Sequence, residues 1–389
     1  MSPAPSAPPS PDPQLEAYLL TLLSDSNLPT GGFVASSGLE AWIQHGGLSL
    51  LPQLSPTTAE SSSTAAPLPQ DARALLAFVD HSLHSYARLT APLLRAAHAA
   101  VWELRHQPHA ALDKGKDRER EREEEADDVD SALRAVLAAD NLAETTTLNH
   151  VARRASVAQG GAFLALYERA FAPPLASFSA PDRVGELVKR YRAQIRRTTN
   201  PETYGGVGVG KEKGKGKEDP AYGHMPVAFA VLTAGVGLSI DASLPLSLFL
   251  HARSLLSSAV RLNVVGPYLA HRMLLWDVRA LVDAATAAVS AGSSEDGEGG
   301  KGAHVREEGK EEKRAGEGRD DWWDADPFWA PIWAASTDPL SSTTASSSSA
   351  SVATAGRPAP SLPSPVVTWP LGEIIASRHD QLFTKVFNS

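Results

Sequence analysis

Apolar residues recur at helical spacing in most parts of this 389-residue chain, and a strictly alternating run of useful length, which would be typical of a β-strand, is absent. The residues that outline one face of the first helix are Leu15, Tyr18, Leu19, Leu22 and Leu23. Positions i, i+3, i+4, i+7 and i+8 share one stripe of a helix. Similar spacing predicts one helix, or two divided near Pro92, over residues 71–107, and further helices over residues 131–172, 182–198, 225–237 and 243–290. The expected fold is an all-α bundle.

Five stretches of biased composition interrupt this periodicity. They are rich in Ser, Pro, Gly or alternating charge, and they lie near residues 49–70, 113–128, 205–219, 290–320 and 336–366. Such sequences bury too little apolar surface to offset the entropy of ordering them. We therefore expect one helical domain over residues 14–389 with disordered insertions, preceded by a disordered Pro-rich segment, residues 1–13. The charged run from Arg118 to Asp128 is expected to form a solvated, partly helical hinge.

Composition excludes several classes of function. The chain has no cysteine, so disulfides, thiolate metal sites and cysteine nucleophiles are excluded, and a reducing compartment fits best. Its net charge of −9 lacks the basic excess that a nucleic-acid backbone attracts. No apolar run is long enough to span a membrane, and the Pro-rich start does not resemble a secretory signal. We expect a cytoplasmic protein that binds neither nucleic acid nor membrane.

Two sequence patterns suggest a nucleotide-binding site and a metal site, but neither pattern is complete. The stretch GGVGVGKE, residues 205–212, fits a phosphate-binding loop until Glu212, which stands where a Ser or Thr should hold magnesium. Among the histidines, His81 and His84 could share a helix face but supply only half of a metal site, and His251 and His271 are expected to be core residues. We therefore expect no catalytic residue, no cofactor-binding residue and no tight metal site, and hence a protein that is not an enzyme.

Residues 24–46, SDSNLPTGGFVASSGLEAWIQHG, combine a turn with a short amphipathic helix. Pro29, Gly31 and Gly32 mark the turn. Ser36 or Ser37 is expected to cap the helix while Glu40 completes a capping box, and Gly46 should end it.

The sequence of residues 24–46 resembles the N-terminal motif of the UreF family of urease accessory proteins, in which an SDS-x-x-P-x-G-x-F block leads into S-x-GLE. Four later blocks resemble that family in the same order: ARRASVAQGGAFL (152–164), GHMPVAFAVLTAGVGL (223–238), LLSSAVRLNVVGPYLAHRML (255–274) and SRHDQLFTKVFNS (377–389). The expected insertions fall between these blocks. A Trp-rich stretch, residues 320–336, has no counterpart in the family, and we expect its aromatic faces to dock on the bundle or, alternatively, to bind a partner.

The resemblance implies an all-helical, commonly dimeric protein whose partners are UreD (also called UreH), the nickel-carrying GTPase UreG and apo-urease. In that complex the chain would be a scaffold and checkpoint for nickel delivery to the urease metallocentre, with nickel handled transiently and no cofactor bound tightly. Two alternatives stay open: direct regulation of the UreG GTPase, and a generic helical adaptor.

The resemblance also supplies candidate site residues. Candidates for motif or interface roles are Asp25, Ser26, Pro29, Gly32, Phe33, Ser36, Gly38, Glu40, Arg154, Ser156, His224, Arg261, Asn263, Gly266 and Pro267. A partner-binding tail is expected over residues 376–389, where Leu382, Phe383, Val386 and Phe387 would form one apolar stripe, at i, i+1, i+4 and i+5, on a short segment. Arg378 and His379 would lie at its polar edge. The residues alone favour a terminal helix folded back on its own bundle, whereas the resemblance favours contact with UreD.

Overall fold

The structure, a computed structural model, describes residues 12–50, 68–107, 118–172, 182–200, 219–291 and 364–388. Within these ranges it contains twelve α-helices and no β-strand, so the predicted all-α fold is confirmed. The helices are α1 (Pro13–Leu23), α2 (Leu39–Gln44), α3 (Gly47–Leu50), α4 (Gln70–His106), α5 (Arg118–Thr146), α6 (His150–Leu166), α7 (Arg183–Thr199), α8 (Met225–Val236), α9 (Ile240–Arg261), α10 (Pro267–Trp276), α11 (Val278–Ala291) and α12 (Pro370–Ser377).

Helix α4 is the longest helix of the described residues and lies at the centre of the packing. It contacts α5, α8, α9 and α11. Its C-terminal half belongs to a buried apolar cluster with α1, α5, α6, α7 and α8, and its N-terminal half to a second cluster with α2, α9, α10 and α11. Helix α8 is buried almost all round, as expected of a helix that is apolar on every face.

Of the one or two helices predicted over residues 71–107, the structure has one, because α4 continues through Pro92. Proline cannot donate the hydrogen bond that would reach the carbonyl of Arg88 one turn earlier. That carbonyl instead accepts a hydrogen bond of 3.3 Å from the backbone N–H of Val366. The returning C-terminal segment therefore satisfies the group that Pro92 leaves free.

Other helix boundaries also differ from the predictions. Residues 118–128, expected to be a solvated and partly helical hinge within an insertion, are helical and form the start of α5, and the buried Arg183 of α7 lies 3.4 Å from the carboxylate of Glu125. The expected helix 131–172 is divided by Asn149, whose side chain caps α6. The expected helix 243–290 is divided at Asn263, which has a positive φ of 58° and precedes α10.

Several predictions lie mainly or entirely outside the described residues. These are the N-terminal segment 1–13, the insertions near 49–70, 205–219, 290–320 and 336–366, the loop-like stretch 205–212 and the Trp-rich stretch 320–336. Within the part of the chain that the structure describes, no helix combines the length and the apolar character needed to cross a membrane.

Candidate functional site

The C-terminal residues fold back onto α2 and are held there by the carboxylate of Glu40. This carboxylate accepts hydrogen bonds from the backbone N–H groups of Val386 (2.6 Å) and Phe387 (3.1 Å). Glu40 is buried, with 1% of its surface exposed. A buried carboxylate is stable only when hydrogen bonds replace its lost hydration, and these two backbone donors do so. The predicted capping box is therefore wrong: Glu40 binds the tail, and Gly38, with a φ of 83°, precedes α2.

His379 strengthens the same anchor from within the tail. Its imidazole ring is fully buried, its Nε2 lies 3.1 Å from the carbonyl oxygen of Phe387, and its Nδ1 lies 3.9 Å from the Glu40 carboxylate. Two further hydrogen bonds join the tail to the N-terminal motif: Asn388 N–H donates to the Val34 carbonyl (2.9 Å), and the Gln44 amide donates to the Thr384 carbonyl (2.8 Å).

Helix α6 contributes a second attachment through Arg154. The guanidinium donates two hydrogen bonds to Asp380, at 2.9 and 3.1 Å, and His150 Nε2 lies 3.3 Å from the same carboxylate. These hydrogen bonds, led by those from Arg154, lower the pKa of Asp380 to about 2. The ion pair is half-exposed, so it orients the tail more than it stabilises the fold.

Arg261, at the end of α9, joins the N-terminal motif to the tail. Its guanidinium donates a hydrogen bond of 2.6 Å to the carbonyl of Phe33 and lies 5.7 Å from the Phe33 ring and 5.8 Å from the Phe387 ring. Both distances suit a cation–π contact. Residues from three separate sequence blocks thus meet at one place.

The predicted helical stripe of the tail is wrong. After α12, residues 378–381 form a single 3₁₀ turn, and the chain from Leu382 onwards is not helical. Its backbone groups bond mainly to side chains and to distant backbone, including those of Glu40, Val34 and Gln44. Phe387 and His379 are consequently buried within the protein and Leu382 is half-buried, whereas Phe383 is fully exposed and Val386 is 64% exposed.

We use the name tail loop for residues 382–386, the segment held between His379 and Phe387. Its two exposed apolar side chains are Phe383 and Val386, and Phe33, which is 66% exposed, directly precedes Val34, whose carbonyl accepts the Asn388 N–H. Arg378 is exposed at the start of this region and its Nε lies 3.4 Å from the Gln381 side chain. If the tail binds a partner, these exposed residues are the ones that the partner can contact.

A second buried polar cluster lies where α5, α6 and the start of α8 meet. The Asp140 carboxylate accepts hydrogen bonds of 2.6, 2.9 and 2.8 Å from the backbone N–H groups of residues 222, 223 and 224. His224 is fully buried, with Nδ1 3.2 Å from Ser156 Oγ and Nε2 2.9 Å from Glu144. Ser156 and His224, both predicted, are thus brought together, and their contacts join α6 to the start of α8.

Sequence reasoning missed Asp140 and Glu144, which complete this cluster. Asp140 lies on an apolar face of α5 and is fully buried, so its position in the hydrophobic pattern was the only available signal. Gly160 shows how closely the helices approach here, because a Cβ atom at this position would lie 1.9 Å from the carbonyl oxygen of Gly223.

A cavity of about 330 Å³ lies beneath the N-terminal motif, between α4, α6, α8, α9 and α12. Its lining includes the predicted residues Asp25, Ser26, Gly32, Phe33, Gly38, Ser156 and Arg261. The lining is mainly apolar, and its polar members include Ser82 and Ser85 of α4 and Ser254 and Ser257 of α9. Four of the five sequence blocks thus line this one cavity.

The remaining predicted residues lie elsewhere or act as turn formers. Pro29 is exposed, and Ser36 is fully buried without a hydrogen-bond partner for its Oγ. Asn263, Gly266 and Pro267 form the exposed turn before α10 and do not reach the tail contacts.

No group of three or more potential ligands in the described ranges could hold a metal ion. His84 lies 3.4 Å from Asp80 in the same helix, and His81 Nδ1 lies 2.7 Å from the Ala77 carbonyl.

His251 lines the cavity and predicts a pH dependence of stability. It stacks on Tyr86 at 4.1 Å and its Nε2 lies 2.9 Å from Ser82 Oγ, and burial lowers its pKa from 6.5 to about 4. Between pH 6.5 and 4 the unfolded chain takes up a proton that the folded chain does not, so stability falls as pH falls through this window. The loss should reach about 3 kcal/mol below pH 4.

Urea unfolding at pH 7 and pH 5 measures this effect. A His251→Gln variant should lose about 2 kcal/mol less stability between these two pH values than the wild type. Equal losses in the two proteins would show that the imidazole is not responsible.

Comparison with known proteins shows to which family this chain is related. The family model of UreF matches residues 70–276. Urease accessory protein 6 of Cryptococcus neoformans var. grubii is 33% identical over 381 residues, which cover 96% of this chain and 97% of that protein. The chain belongs to the UreF family. The resemblance expected from the five sequence blocks is therefore confirmed.

A second relative is more distant. A protein of Schizosaccharomyces pombe, described as an uncharacterized urease accessory protein UreF-like, is 24% identical over 257 residues, covering 66% of this chain and 76% of that protein. No solved structure matches the chain with significance. The UreF family match leaves out both the N-terminal motif and the tail, whereas the Cryptococcus relative aligns over nearly the whole length.

Proposed function

We propose that this UreF-family protein acts in urease maturation as a scaffold and checkpoint, in a cytoplasmic complex with UreD, UreG and apo-urease that delivers nickel to the urease metallocentre. The observation that carries the proposal is the tail loop. Two large apolar side chains, Phe383 and Val386, are displayed to solvent on a loop whose ends are anchored by buried contacts at His379 and Phe387. Exposed apolar groups on an ordered support are typical of a docking site.

The anchoring favours binding because it removes part of the entropic cost. A loop fixed by the Glu40 and Arg154 contacts needs less ordering when a partner binds than a free tail does. We propose UreD as the partner at this loop, with Phe383 inserted in an apolar pocket of UreD and Phe33 at the rim. Homodimer formation is proposed from family membership, and no residue is assigned to that interface.

The cavity suits a passive part in nickel transfer. We propose it as a passage because polar groups interrupt its mainly apolar lining, among them the side chains of Asp25, Glu373 and Ser254. Nickel would then be a cargo that passes through the complex rather than a resident cofactor.

A pull-down with UreD tests the proposed docking site. A Phe383→Ser variant should capture at least tenfold less UreD than the wild type, because an aromatic anchor in a pocket contributes more than most contacts. Tyr18→Ser is the matched control: Tyr18 is 65% exposed on α1 and its loss should leave capture unchanged. A chain ending before Ser377 should capture no UreD, and circular dichroism checks that all variants fold.

The possible results separate the alternatives. Equal capture by Phe383→Ser and the wild type would exclude the tail loop as the docking site. If the chain accelerates GTP hydrolysis by UreG in the absence of UreD, it is a direct regulator of the GTPase. If the chain neither captures UreD nor changes the rate of GTP hydrolysis by UreG, it is better described as a generic helical adaptor.

A further inference from the structure

Helix α10 presents an apolar face that nothing in the described part of the chain covers. Tyr268 is 93% exposed, Leu275 56% and Trp276 72%. Their spacing of seven and eight residues places them on one side of α10, while Ala270 and Met273 on the other side are buried in the core. Two aromatic rings and a leucine together form a patch of the kind that a soluble protein covers.

We propose that the Trp-rich segment of the same chain, residues 320–336, docks on this face of α10. The segment contains four tryptophans, one phenylalanine and one isoleucine within twelve positions, from Trp322 to Trp333. Aromatic side chains of this density bury large areas, and they pair well with other aromatic rings in offset or edge-to-face contact.

Charge supports this pairing. The segment begins with four aspartates, Asp320, Asp321, Asp324 and Asp326, and residues 320–356 include no lysine or arginine. Helix α10 has the opposite character, because it contains Arg272 on the same side as Tyr268 and Leu275 and includes no acidic residue. An arginine on an aromatic surface can bind both a carboxylate and the face of a tryptophan ring.

Chain length also permits the contact. Helix α11 packs against α10 and ends at Ala291, from which the chain continues to Trp322. A connection of about 30 residues can extend to about 100 Å, whereas α11 is only about 20 Å long. An intramolecular ligand tethered in this way is present at high effective concentration, so even weak apolar contacts would be occupied.

Cysteine cross-linking tests the proposal directly, because the natural chain contains no cysteine. Ala330→Cys marks the segment, and His271→Cys marks the side of α10 beside Tyr268 and Leu275. As a matched control, Leu148→Cys marks a second exposed apolar position, 80% exposed and located between α5 and α6. Both pairs are introduced in the full chain, and disulfide formation under mild oxidation is followed on non-reducing gels.

We expect the Ala330→Cys/His271→Cys pair to close within a single chain at least tenfold faster than the Ala330→Cys/Leu148→Cys pair. Adding Trp276→Ser should bring the faster rate down to that of the control, with the circular dichroism spectrum unchanged. Equal rates for the two pairs, or faster closure at Leu148→Cys, would overturn the proposal. Cross-links formed only between two chains would also overturn it, and would assign the α10 face to a second copy.

Discussion

A Gly160→Ala protein should be about 2–3 kcal/mol less stable than the wild type, although alanine is the better helix former. The added Cβ would lie 1.9 Å from the carbonyl oxygen of Gly223 and 2.9 Å from the backbone carbon of His224. These are backbone atoms, and the backbone is held in place by three hydrogen bonds to Asp140. Relief therefore requires α6 and α8 to move apart, and overpacking of this kind commonly costs 1–3 kcal/mol.

Gly161→Ala is the control for this prediction, because it makes the same substitution one residue later in the same helix. Gly161 is exposed and a Cβ there would meet no atom within 4 Å. It should gain about 0.5–1 kcal/mol from the better helix propensity of alanine. Thermal unfolding of both variants measures the difference, and a Gly160→Ala protein as stable as Gly161→Ala would show that α6 and α8 are not in this close contact.

The sequence pattern was sufficient for the helices but not for the contacts between them. The spacing of Leu19 and Leu23 on α1 reflects a local rule, and both are buried as expected. The pattern near Pro92 left one helix or two open, because Val366, whose N–H bonds to the carbonyl that Pro92 leaves free, lies far away in the sequence. Likewise, nothing local to Glu40 indicates that its hydrogen-bond donors are residues 386 and 387.

For the candidate site, too, the sequence indicated the residues but not the contacts between them. Resemblance between blocks identified Arg154, His224 and Arg261 as residues of interest, but it did not give their contacts. The structure pairs Arg154 with Asp380, His224 with Glu144, and Arg261 with the Phe33 carbonyl. Each pair joins residues that are distant in sequence, and such pairs are set by the packing of whole helices rather than by local pattern.

A Glu40→Gln variant should release the tail while leaving the rest of the bundle folded. The glutamine oxygen can accept only one of the two N–H groups well, and its NH₂ group would face the other donor without bonding to it. Loss of a charged, buried hydrogen-bond acceptor should cost about 2 kcal/mol locally. Amide hydrogen exchange of Val386 and Phe387 should then become about 30-fold faster, since 1.4 kcal/mol corresponds to a factor of ten.

Gln44→Ala is the matched control for the tail. It removes a single exposed hydrogen bond to the Thr384 carbonyl, so exchange at Val386 and Phe387 should change by less than about fivefold. Exchange in α4 and α8 should be unchanged in both variants, because their protection comes from the apolar clusters. Unchanged exchange at Val386 and Phe387 in Glu40→Gln would show that the carboxylate does not hold the tail.

The Glu40→Gln variant also decides whether the folded-back tail is the binding form or a resting form. It keeps Phe383 and Val386, so any change in UreD capture must come from the population of the anchored state. If the anchored loop binds UreD, capture falls in proportion to the fraction of molecules whose tail has opened. If UreD requires a free tail, capture rises, because the energy needed to detach the tail has been reduced. Phe383→Ser lowers capture in either case. The two variants together therefore distinguish the loss of a direct contact with UreD from a change in the conformation of the tail.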